Sequence, residues 1–229
     1  MSARYTPLQV IPERLARVVD AIPYWFVIGG QAVRCFAPYR PSRDVDFGVE
    51  SPVNLDDLVE QLRHQGEVEI QERTKDTVHL LWNGTRVSGF VLEHLVPHVE
   101  DRHLDVTGVL ATKLHAILDR GLRRDFFDLY VMLEQHRLGI VAALAAIRKV
   151  YQGEIHDGLL LRALTYFDDA EREVPLPGEG PKDWSWVRDY FLVQVGSLLV
   201  PPRRPLAIQA QTVDVTGSTA ESGPTRSTT

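Results

Sequence analysis

Two acidic residues one position apart, Asp44 and Asp46 in Arg43-Asp44-Val45-Asp46-Phe47, follow a Gly29-Gly30 pair by fourteen residues. Val45, Phe47 and Val49 interleave with the acids, and a period-two alternation predicts a strand. Positions i and i+2 of a strand share a face, so both carboxylates project together while Val45 and Phe47 turn to the core. Two converging carboxylates repel unless a cation stands between them. A hard divalent ion such as Mg²⁺, held by one or two carboxylates plus substrate phosphates, suits such a pair. Asp-x-Asp alone arises freely on half-exposed strands, so the upstream glycines supply the context. Trp25-Phe26-Val27-Ile28 reads as a short buried strand, and residues 31–36 as a helix opened by Gly29-Gly30. Glycines let the backbone approach a ligand closely, and a helix N-terminus offers free N–H groups to phosphate. Gly29 and Gly30 are therefore candidates for holding a nucleoside triphosphate whose metal is bridged by Asp44 and Asp46. The bland alternative is a tight turn without a ligand.

The elements that must carry these residues can be read along the chain. Residues 7–22 have apolar positions at helical spacing and end at Pro23. An amphipathic helix is expected over 54–65, capped by Asn54 and closed by Gly66. Strand-like runs follow at 67–72, 77–82 and 85–93, the last two joined by Asn83-Gly84, a hairpin signal. After His103 helical periodicity takes over, at 107–118, 124–135, 138–151, 158–167 and 184–199, with a Pro/Gly loop over 175–181. From Pro201 on, Ser, Thr, Pro, Gly and Ala dominate, a composition unable to bury enough surface to order itself. The expected class is α+β: a small mixed β-sheet core with flanking helices over 1–103, a C-terminal helical bundle over 104–200, and a disordered low-complexity tail over 201–229.

Composition narrows the function classes. With 229 residues and a net charge of −6, the chain can build a real core but is not a generically basic polyanion binder. The lone cysteine, Cys35, excludes an internal disulfide framework and a cysteine-rich zinc site, and reads as a packed thiol suited to a reducing cytoplasm. The N-terminus lacks a signal-peptide layout, and the longest apolar run, 138–147, is too short to span a bilayer. The expected location is the cytoplasm, without membrane attachment.

The helical half carries a second pattern. Lys113, Ala116 and Arg120 share one helical face at i, i+3 and i+7, and Arg124 and Asp128 form an i, i+4 pair in Arg124-Asp125-Phe126-Phe127-Asp128-Leu129-Tyr130. Singly, such charges read as solvated helix faces. Gly-Gly, about a dozen residues, then Asp-x-Asp resembles the signature of the polymerase-beta-like nucleotidyltransferase superfamily. Lys113-x2-Ala116-x3-Arg120-Gly121 followed by Arg124-Asp125-Phe126-x-Asp128-Leu129-Tyr130 resembles the downstream motif of the AbiEii/AbiGii nucleotidyltransferase toxins of type IV toxin–antitoxin and abortive-infection systems. The run 161–171 is similar to that family's C-terminal region, and the likeness spans residues 24–190.

The resemblance implies an EC 2.7.7-type nucleotidyltransferase that moves a nucleotide from an NTP to an RNA acceptor, tRNA among the candidates, with a cognate antitoxin protein encoded nearby. It implies Mg²⁺ or Mn²⁺ on Asp44 and Asp46, and catalytic roles for Asp44, Asp46, Lys113, Asp125 and Asp128. Nucleotide binding would fall to Gly29, Gly30, Arg43, Lys113, Arg120 and Arg124. Lys113 would meet phosphates, with Asp125 or Asp128 as a base or as the orienter of Lys113. The family often has lysine where Arg124 stands. A third metal carboxylate is expected near Ser88, where this chain has none. It is then absent, replaced by water, or supplied by Glu93 if a bulge at Gly89 shifts the register. A degenerate nucleotide- or RNA-binding relative, and an antibiotic-modifying nucleotidyltransferase, are the alternative readings. A glycosyltransferase using Asp-x-Asp is disfavoured by the Lys113–Tyr130 block. His94, His98 and His103 are expected in a surface loop rather than at zinc, and Trp184 and Trp186 as packing residues. RNA binding by an acidic chain would need a local patch, with Arg40, Arg43, Lys113, Arg120, Arg123 and Arg124 as candidates.

Overall fold

In the computed structural model the described residues are 3–200, apart from 43, 153, 154, 176, 177, 179 and 181. The tail 201–229 and Arg43 therefore lie outside the described residues. One seven-stranded mixed sheet forms the centre, in the order β3 (Val68–Arg73), β4 (Thr77–Trp82), β5 (Thr85–Val91), β2 (Val45–Val49), β1 (Trp25–Val27), β7 (His103–Leu104), β6 (Val99–Glu100). β3, β4 and β5 form an antiparallel meander, and β5 runs parallel to β2. β1 is antiparallel to β2 and parallel to β7. Asn83 and Gly84 both take positive φ, 46° and 78°, and turn the β4–β5 hairpin as their sequence requires.

Helix α4 (Pro52–Gln65) covers one face of β2, β4 and β5 with Leu55, Leu58, Val59 and Leu62. Gly89 permits that approach, since a Cβ there would stand 2.6 Å from Leu55 Cδ1. Helix α3 (Gly29–Phe36) rises from β1 and packs on α5 (Val106–Asp119) and α6 (Arg123–His136). Helix α7 (Ile140–Tyr151) packs on α5. α10 (Trp184–Leu199) packs on α6 and α7, and Trp184 lies among Phe126, Phe127 and Phe167.

Several expected elements are reshaped. The first helix breaks into α1 (Pro7–Val10) and α2 (Glu13–Val19), because Ile11, preceding Pro12, is extended at ψ 162°. The helix expected at 158–167 stops early, as α8 (Asp157–Ala163), and a separate short helix, α9 (Asp168–Arg172), follows it. Ser51, not Asn54, caps α4, accepting from the Asn54 N–H at 3.3 Å. The last long strand ends at Val91, and residues 93–98 coil into a 3₁₀ turn before two unforeseen strands. Consequently His98 and His103 are buried rather than in a surface loop; His98 Nδ1 lies 3.1 Å from Asp105 Oδ2, and Asp105 caps α5. Trp186 is largely exposed, its indole N–H on the Tyr130 hydroxyl at 3.3 Å, and is not a core residue. Cys35 is buried as expected, and burial pushes its thiol up to about 12. Among the described residues no helix is long and apolar enough to cross a membrane.

Candidate functional site

Gly29 enters α3 at φ +60°, and a Cβ on it would stand 2.6 Å from Asp46 Oδ2. Only glycine leaves room for the Asp46 carboxylate and takes that backbone without strain. Gly30 is packed against Ser42 Oγ and Arg40 Nη2, 3.0 and 3.3 Å from where its Cβ would be. The approach to β2 is pinned from two sides: the Gln31 amide and the Ser42 hydroxyl each donate to the Asp44 carbonyl at 3.2 Å. The Ile28 N–H donates to the Asp46 carbonyl at 3.0 Å. These bonds set Asp44 and Asp46 beside the start of α3.

α5 and α6 close the site from the other side. Lys113, 3% exposed, places Nζ 2.7 Å from Asp128 Oδ2 and 3.5 Å from Asp125 Oδ1. Arg40 grips Asp128 with two bonds, Nη2–Oδ2 at 2.8 Å and Nε–Oδ1 at 3.1 Å, and the Tyr39 hydroxyl donates to the same carboxylate. Arg120 grips Asp125 in the same forked way, at 2.9 and 3.0 Å. Buried charges persist only when paired in this manner. Burial alone would raise the Asp128 carboxyl, but Lys113 and Arg40 outweigh it and hold the group below the usual carboxylate range. Asp46 goes the other way. Burial raises it, Lys113 opposes, and the Asp44 charge raises it further. The carboxylate at Asp46 is thus short of positive charge.

These groups border one cleft of 740 Å³. Gly29, Gly30, Asp44, Asp46, Lys113, Arg120 and Arg124 all line it, and Lys113, Ala116 and Arg120 do share one helical face. Asp125 and Asp128 do not line it; they are buried behind Lys113 and fix its amine. Asp128 therefore pairs with Lys113 and Arg40, not with Arg124 as the i, i+4 spacing suggested. Glu93 is exposed at the start of the 3₁₀ turn and is not among the lining residues. No bulge at Gly89 redirects it, because β2 and β5 pair without interruption from Val45↔Val87 to Val49↔Val91. Among the described residues no three His, Cys, Asp or Glu side chains converge as a metal site. The Arg40 guanidinium is committed to Asp128, and Arg123 lies over the Trp184 ring at 5.1 Å, so neither matches the exposed basic patch expected of them. The cleft also holds residues with no signal of their own in the sequence: His79 beside Ser88, and a stacked pair, His115 and Tyr151, with ring centroids 4.6 Å apart.

Residues 83–185 match the family model described as nucleotidyl transferase AbiEii toxin, type IV TA system. That stretch, 103 of the 229 residues, is therefore similar to an AbiEii-type nucleotidyltransferase domain. The matched stretch includes Lys113, Arg120, Asp125 and Asp128 and begins beyond Gly29–Asp46. The uncharacterized protein aq_aa25 of Aquifex aeolicus (strain VF5) is 27% identical over 186 residues, covering 76% of this chain and 88% of that one. A crystal structure from H. pylori, described as a candidate nucleotidyltransferase, shares this chain's fold with a TM-score of 0.51 at 16% identity, over 81% of this chain and 92% of that one. The antibiotic-resistance factor ANT(2'')-Ia superposes with a TM-score of 0.47 at 9% identity, over 61% of this chain and 89% of that one.

Proposed function

We propose that this nucleotidyltransferase moves a nucleotide from an NTP to an RNA hydroxyl, using Mg²⁺ or Mn²⁺, and serves as the toxin opposed by a cognate antitoxin protein in the cytoplasm. One observation carries the reading: a single cleft brings the Gly29-Gly30 helix start, the Asp44–Asp46 pair and Lys113 together. Residues 1–103 supply the first two, and the helical residues 104–200 supply the lysine. The donor set fits a divalent cation. Asp44 and Asp46 share a face of the cleft, and Asp46 is held above its ordinary range by burial and by its neighbour's charge, which a cation would relieve. Asp44 and Asp46 would hold the metal, which when bound polarises the triphosphate and neutralises charge as pyrophosphate departs.

The protein's own residues do the positioning. The N–H groups opening α3 receive phosphate oxygens, and Lys113 places a fixed positive charge against them. Asp125 and Asp128 hold the Lys113 amine in place, with Arg40 and Arg120 balancing their charge. Arg124, on the cleft wall, is available to the phosphate backbone of the acceptor. The work asked of the chain is orientation and electrostatic stabilisation rather than covalent chemistry.

The test is transfer of label. The protein is incubated with each labelled NTP, Mg²⁺ or Mn²⁺, and total RNA, beside an Asp44→Ala/Asp46→Ala variant. Label entering a defined RNA with the wild type alone supports the reading. NTP binding without label on any RNA would replace it with a nucleotide-binding, transfer-inactive relative, and label on an antibiotic supplied in place of the RNA would point to antibiotic modification.

A further inference from the structure

The position next to Asp46, where the resemblance led us to expect a third carboxylate, holds a hydrogen-bonded pair. Ser88 of β5 stands opposite Asp46 of β2, and His79 of β4 stands opposite Ser88. The three form a row across adjacent strands. His79 Nδ1 lies 3.0 Å from Ser88 Oγ, and the Ser88 hydroxyl bonds the Asp46 carboxylate. The direction of that chain follows from donor inventory. Where Asp46 is ionised it can only accept, so there the Ser88 proton points to Asp46 and the Ser88 oxygen accepts from His79 Nδ1–H. A neutral imidazole has one N–H, so Nε2 keeps its lone pair. The Phe90 ring meets the imidazole edge-on at 5.6 Å, and His79, Ser88 and Phe90 all border the cleft shared with Asp44 and Lys113.

We propose that His79 is the general base of the transfer, its Nε2 accepting the proton of the acceptor's attacking hydroxyl. Ser88 is the positioning residue that fixes the tautomer. The proposal rests on the nucleotidyl-transfer reading above. In the step, the acceptor O–H bond breaks and its proton passes to His79 Nε2. The acceptor oxygen forms a bond to the α-phosphorus of the NTP. The bond from that phosphorus to the bridging oxygen breaks, and pyrophosphate leaves with the electron pair. His79 then returns the proton to water. A Ser–His pair thus takes the task a third carboxylate would perform, without adding a negative charge beside Asp46.

The experiment uses the full chain as wild type, His79→Ala, His79→Gln and His79→Ala/Ser88→Asp. Loss of a general base lowers turnover by roughly 10²–10⁴-fold. We expect that loss in both single variants, with NTP affinity and Mn²⁺ affinity (by electron paramagnetic resonance) unchanged within about twofold. Added imidazole should restore turnover of His79→Ala saturably, and the carboxylate of Ser88→Asp should recover at least about tenfold of it. Nitrogen-15 NMR of the wild-type imidazole should report the Nδ1–H tautomer. Turnover within about threefold of wild type in His79→Gln overturns the proposal. So does a fall in Mn²⁺ affinity that matches the fall in turnover, which makes His79 a metal ligand, and so does an Nε2–H tautomer. A wild type that transfers no label removes the transfer reading first and the base with it, whereas an active wild type with an equally active His79→Gln removes the base alone.

Discussion

At the scale of single residues the cleft is held away from its most stable form, and Asp46 carries that tension. Its carboxyl is raised above the ordinary range, first by burial and then by Asp44, despite Lys113. A carboxyl raised in the folded state contributes most below its unfolded pKa, and the contribution is lost as pH rises through the folded value. Above the folded value the ionised group opposes folding. Asp46→Asn should therefore raise the melting temperature at pH 7, by an amount equivalent to roughly 0.5–2 kcal/mol, and the gain should shrink as pH falls toward 4. Calorimetry at both pH values checks this, and a lower melting temperature at pH 7 would refute it. Gly29→Ala should act oppositely. Left-handed backbone costs a non-glycine residue roughly 1–2 kcal/mol, and the new Cβ would press on Asp46 Oδ2 from 2.6 Å. Lower stability together with weaker Mn²⁺ binding is expected; a variant that loses neither would mean that Asp46 can move freely. Asp44, Asp46 and Gly29 were legible in the sequence because strand alternation and glycine geometry are local. The pairing of Ser88 with His79 was not, since it depends on which strands become neighbours.

At the scale of elements, the buried Asp128 on α6 fastens α5 to the segment that follows α3, and Asp125 binds α6 to α5. Asp128 receives Lys113 from α5 and both Arg40 and Tyr39 from the preceding loop. Removing one partner of a buried ion pair costs about 3–5 kcal/mol, because the others keep their charge without compensation. Asp128→Asn should lose about that much in denaturant unfolding, and with it the order of Lys113. Asp128 is held below the usual carboxylate range, so its contribution is present above the unfolded value of about 3.9 and disappears as pH falls through the folded one. The wild type should accordingly show an acid limb of stability that flattens in Asp128→Asn; matching limbs would refute the assignment. The helical spacing of Lys113, Ala116 and Arg120 could be read in advance, because one helix determines it. The partner of Asp128 could not. Helical periodicity offered Arg124, four residues earlier, but Asp128 faces inward between three elements, and tertiary packing decided the pair. Glu93 failed for a related reason: the strand thought to carry it ends at Val91, and no bulge redirects it.

At the scale of the whole molecule, charge decides how an acceptor can bind. The chain carries a net charge of −6, so long-range attraction for RNA is weak, and on the proposed reading the acceptor is held by the cleft. Within the cleft most cations are already engaged: Lys113 and Arg40 by Asp128, and Arg120 by Asp125. Arg86 and Arg124 border the same cleft, on β5 beside the β4–β5 turn and at the start of α6. An RNA held this way releases few counterions. With about three phosphates neutralised, the slope of log affinity against log salt is about −2, since a single strand contributes about −0.7 per contact. Affinity should then fall only about fifteenfold between 50 and 200 mM salt. Arg124→Ala should reduce the slope by about 0.7 and weaken all sequences alike, as phosphate contacts do. Fluorescence anisotropy with a short single-stranded RNA across that salt range measures both quantities. A slope near zero would remove RNA as the acceptor and leave a small, weakly charged molecule in the cleft, whereas a slope of −6 or steeper would require a basic surface elsewhere on the chain.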